Sequence, residues 1–71
     1  MQRALAQAAR YGRQIAEIDK VPSDKARAYW RLNVWNSWQS FCNQFKGNAR
    51  VQMLDAYLKA YFSVMGGRYN G

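Results

Sequence analysis

Apolar residues recur at helical spacing in three stretches of the chain, and two short polar breaks separate them. In the first stretch Ala4, Ala8, Tyr11, Ile15 and Ile18 follow a 4-3-4-3 rhythm, which makes one stripe of a helix over about residues 2–18. Gly12 interrupts this stripe at a cost of about 1 kcal/mol relative to Ala. Its helical neighbours Ala8, Ala9 and Ala16 are small, so another helix has room to come close there.

The first break is Asp19-Lys20-Val21-Pro22-Ser23. Pro22 disfavours helix at Val21, Ser23 suits an N-cap, and Asp24 then sits where the helix dipole favours an anion. The second helix is expected over about 24–45, with Trp30, Val34, Trp38, Phe41 and Phe45 on its core stripe. Gly47 fits a left-handed C-terminal cap, and Asn48 an N-cap for a third helix over about 49–65. That helix carries Val51, Leu54, Leu58, Tyr61, Phe62 and Met65 on its main stripe, and Gly66 and Gly67 end it. Period-two alternation never persists, so no strand is expected. Short connections predict an all-α domain over 1–67, an antiparallel three-helix bundle, with 68–71 as a flexible tail.

The third stretch holds more apolar surface than one stripe accounts for. Met53, Tyr57, Ala60 and Val64 form a second row at 4-3-4 spacing, and Leu32 and Trp35 lie off the Val34 face of the second helix. A central helix in a bundle needs a wide stripe, but an apolar face larger than the fold can cover marks an interface. Leu32, Trp35, Met53, Tyr57, Ala60 and Val64 are therefore the expected interface, and a homodimer its simplest use.

Composition supports a folded chain that needs such help. Of 71 residues, 49% are apolar, and three Trp, five Tyr and three Phe supply large burial areas. A domain this small is marginal without a disulfide, a metal or a partner. Cys42 is the only cysteine and there is no histidine, so no internal disulfide, metal site or cofactor is expected. The same lack of a general base, together with four scattered acids and no Gly-rich phosphate loop, argues against an enzyme. No apolar run reaches membrane-spanning length, and the N-terminus lacks the apolar core of a signal peptide. A lone thiol fits a reducing cytoplasm.

The net charge is +7, from eleven Lys/Arg against four Asp/Glu. Such an excess points to anionic partners. Arg10, Arg13, Lys20, Lys25, Arg27, Arg31 and Arg68 gather towards one pole of the expected bundle, where they could neutralise phosphates of DNA or RNA. Tyr29 and Trp30 lie near those charges and could stack on unpaired bases, although Trp30 also falls on the core stripe. Glu17, Asp19 and Asp24 share that pole and cancel part of it. A helix-turn-helix reading fits poorly, because the third helix is too apolar for a wet groove. The expectation is a basic regulatory or accessory protein that binds nucleic acid as a dimer. The alternative is an adaptor or inhibitor that docks on an acidic protein through the apolar face of the third helix.

Overall fold

A computed structural model describes residues 2–66, and these form three helices with no strand among them. Helix α1 spans Gln2–Asp19, α2 Asp24–Cys42 and α3 Asn48–Met65. The expected tail, with Gly67 and Arg68, lies outside the described residues.

The first break folds as its residues dictate. Ser23 has extended backbone angles, and its hydroxyl accepts from the backbone N–H of Ala26 at 3.3 Å. Arg27 closes the turn from the other side: its guanidinium donates to the carbonyl of Val21 at 2.8 Å and to the Asp24 carboxylate.

The second break departs from expectation. Helix α2 ends at Cys42 instead of Phe45, because the chain tightens from four-residue to three-residue hydrogen bonds. Asn43 N–H donates to Gln39, but Gln44 donates to Phe41 and Phe45 to Cys42. Gly47 has φ 63° and ψ −139°, which is not the left-handed helical cap expected of it. That region is open essentially to glycine alone, and there Gly47 itself precedes α3, with Asn48 already helical. Gly66, at φ 79° and ψ 11°, is a true left-handed cap, and its N–H donates to Phe62 at 2.9 Å.

The core is built on the seam between α1 and α3. Ala8, Gly12, Ile15 and Ala16 are buried on α1, and Met53 and Tyr57 on α3. The backbones come so close at Gly12 that a Cβ placed there would lie 2.2 Å from the carbonyl oxygen of Tyr57. Ala8 and Ala16, one turn to either side, are buried as well and leave room for the approach over about two turns.

This contact corrects the reading of α3. Met53 and Tyr57, expected on an exposed interface row, are core residues, with Tyr57 only 7% exposed. Val51, from the expected core stripe, is 64% exposed, and Leu54 and Met65 are also exposed. Ala60 and Val64 are half-buried. On a helix that is apolar most of the way round, periodicity identifies the rows but not which one faces inward. The glycine on the partner helix decides that, because only there can the two backbones meet.

Helix α2 completes the core with buried Trp38 and Cys42, and half-buried Val34 and Phe41 pack against it. Trp38 stacks on Tyr57 with ring centroids 4.7 Å apart, and Tyr11 packs against both Trp38 and Phe41. The Cα envelope is flat, 36 × 26 × 16 Å. α1 packs most extensively on α3 and less on α2, while α2 reaches α3 chiefly through Trp35 and Trp38 against Tyr57.

Candidate nucleic-acid interface

The first half of α2 has more large side chains than its neighbours can cover. Tyr29, Trp30, Leu32 and Trp35 are all exposed, and they point to different sides of the helix. Trp30, expected in the core, is 54% exposed. It lies in a groove between α1 and α2, shared with Val34 of α2 and Arg10, Arg13 and Gln14 of α1. The groove continues past Gln14 to Gln7, Tyr11, Asn33 and Ser37. Tyr29 meets the Trp30 ring edge-on, at 5.4 Å and 83°.

The expected basic residues divide by their partners. Arg31 donates to Asp19 at 2.6 Å, Arg27 is held by Asp24 and Val21, and Lys20 lies 3.9 Å from Glu17. Arg10, Arg13 and Lys25 are exposed and make no ion pair among the described residues. Arg10 and Arg13 are brought together on the groove, whereas Lys25 does not line it. Glu17 is the one carboxylate on the groove wall. Arg68 lies outside the described residues.

Asp19 ends α1 as a polar clamp for all three helices. One carboxylate oxygen accepts from Arg31 of α2 and the other from the Tyr61 hydroxyl of α3, each at 2.6 Å. A carboxylate at a helix C-terminus opposes the dipole, and the Arg31 guanidinium offsets that. The hydrogen bond to Asp19, then burial, pushes the Tyr61 hydroxyl above its ordinary pKa. Burial alone dominates at Tyr57, which is pushed up to about 12.

The opposite flank of α2 has a different character. Ala28, Leu32 and Trp35 line an open apolar groove whose one charged residue, Arg31, is neutralised by Asp19. Two of the expected interface residues, Leu32 and Trp35, thus share a surface, while Met53 and Tyr57 do not reach it as an exposed row.

Arg10 and Arg13 are exposed cations, Gln14 beside them is not singled out by the sequence, and Trp30, weighed there both as a stacking ring and as core, is exposed. The signal was the density of large residues at 29, 30, 32, 34 and 35, more than one helix face can bury. Cys42 is buried, and no cluster of metal-ligating side chains occurs among the described residues. No described helix is long and apolar enough to cross a membrane. Comparison with protein-family models, curated proteins and solved structures gives no match.

Proposed function

We propose that this chain is a small, non-enzymatic accessory protein that binds nucleic acid on the α1–α2 face. The observation that carries the reading is the pair of exposed guanidiniums, Arg10 and Arg13, side by side on one groove without a carboxylate partner. Phosphates supply the counter-charge that the fold does not, and a net charge of +7 favours their approach. The other Arg residues near the first turn hold the fold together and contribute little to this surface.

The helices are read as an up-down-up antiparallel bundle. Going along α1 from Asp19 back to Tyr11, the contacts on α2 advance from Arg31 to Phe41. A second copy of the chain is the proposed occupant of the Ala28–Leu32–Trp35 groove. That flank is apolar and locally neutral, so two copies can meet there in spite of their like net charge, which the α1 face would oppose. The lone buried thiol suits a reducing cytoplasm. A docking role for the Met53–Tyr57 row finds no support, since those two side chains are spent on the core.

Binding to a labelled oligonucleotide, measured at rising salt, tests the reading. The logarithm of affinity should fall linearly with the logarithm of salt, and Arg10→Ala and Arg13→Ala should each reduce the slope by about 1. Absence of binding at about 50 mM salt, where phosphate contacts are strong, would retire it.

A further inference from the structure

The ligand class can be narrowed on the strength of one side chain. We propose that the α1–α2 groove takes single-stranded nucleic acid, with an unpaired base stacked on Trp30 and the adjoining phosphates on Arg10 and Arg13. This rests on the nucleic-acid reading above and goes beyond it, because charge alone does not separate a duplex from a single strand.

Three observations converge on it. The Trp30 indole is a large apolar ring left 54% exposed in a groove, not on a convex ridge. A ring so placed is a platform for any base, since every base has a π-face. The Tyr29 ring meets it edge-on at 5.4 Å, which limits the orientations the indole can take before a ligand arrives. The cations on the groove wall are Arg10 and Arg13, one helical turn apart on α1, and they line the same groove as Trp30 on α2. A base stacked on the ring would bring its own backbone to the groove that both guanidiniums line.

The rest of the wall fits the same ligand. Gln7, Gln14 and Asn33 present amides along the groove, able to meet the edges of an extruded base. Asn33 already donates from Nδ2 to the Tyr29 carbonyl at 2.9 Å, which leaves its side-chain oxygen as the acceptor. Glu17, the one carboxylate, sits with Lys20 at 3.9 Å. A duplex can meet the guanidiniums with its phosphates but offers Trp30 no free base. Its bases are stacked on one another.

The test uses the full chain with fluorescein-labelled fifteen-nucleotide ligands at about 50 mM salt, read by anisotropy, where charge contacts are strong. The ligands are oligo(dT), oligo(U), a mixed-sequence duplex and an abasic strand of the same phosphate count. Trp30→Ala should weaken oligo(dT) or oligo(U) by roughly ten- to a hundredfold and leave duplex affinity unchanged. The abasic strand should bind the native chain about as weakly as oligo(dT) binds Trp30→Ala. Circular dichroism of Trp30→Ala should match the native helical content, and Trp30→Phe, which keeps a ring, should recover part of the loss. If single strands bind with a normal salt slope but Trp30→Ala and the abasic strand change nothing, the stacking proposal is overturned while the phosphate reading stands. If no ligand binds at all, both fall together.

Discussion

The α1–α3 seam and the first half of α2 are built from similar material and put it to opposite use. In the seam, Ala8, Gly12, Ile15, Ala16, Met53 and Tyr57 are buried, and one backbone lies against another. Between Ala28 and Trp35, the large side chains Tyr29, Trp30, Leu32 and Trp35 stand in solvent on two flanks. Small residues on α1 let the seam close over Ile15, Met53 and Tyr57, and large residues on α2 are left on the surface. Close backbone approach brings whole helices within reach of one another, so a glycine with an alanine on either side organises more burial than a tryptophan at the edge of the contact. Apolar content therefore does not tell core from surface in this chain, but the place where two helices can touch does.

Four measurements sharpen or break that contrast. The largest effect is expected at Trp38, which is fully buried and stacked on Tyr57. Trp38→Ala should cost about 3–5 kcal/mol. A chain of this length has a total stability of about 4–10 kcal/mol, so the variant should lose about a third or more of it and its urea midpoint should fall sharply, to zero at the low end of that range.

Next comes alkaline pH. The Tyr57 hydroxyl is pushed up to about 12 in the folded chain by burial, against 10 for a free tyrosine. Above pH 10 the unfolded chain loses this proton while the folded chain keeps it. Stability contributed by the neutral hydroxyl is therefore fully present below pH 10 and lost as pH rises towards about 12. The loss should amount to about 2–3 kcal/mol. Tyr57→Phe should flatten most of that slope, with a smaller remainder from Tyr61. Urea midpoints at pH 9 and pH 11.5, in both proteins, read the difference.

Gly12→Ala is a smaller change with a decisive sign. In an open helix the substitution stabilises by about 1 kcal/mol. Here the new Cβ would sit 2.2 Å from the Tyr57 carbonyl oxygen, a backbone atom that cannot swing aside. Overpacking of this kind costs about 1–3 kcal/mol, so the variant should be destabilised or, at best, unchanged. A raised urea midpoint would mean that α1 and α3 do not meet at this point.

Much of this fold is legible along the chain. Three helices, the Ser23 cap, the Pro22 break and the Gly66 terminus follow from local chemistry that acts within a few residues. What is not legible is which apolar row faces inward. Val51 and Met53 are both apolar and both periodic, and only the position of Gly12 on another helix separates them. The end of α2 is hidden for a similar reason. Phe45 continues the stripe perfectly well, but the tightening after Cys42 and the unusual Gly47 backbone belong to the connection, not to the stripe. For the site, Arg10 and Arg13 could be picked out as exposed cations. Trp30 could be named near them but not assigned to the surface, because a tryptophan on an apolar stripe reads as core until the helix beside it proves too narrow to cover it.

Trp30 also offers the most direct measurement of the central claim, that the first half of α2 is surface and not core. Equilibrium urea unfolding of Trp30→Ala should give a stability within about 1 kcal/mol of the native chain, as for substitutions outside a packed core. A loss of about 3–5 kcal/mol, equal to that expected of Trp38→Ala, would place Trp30 in the core and contradict the account.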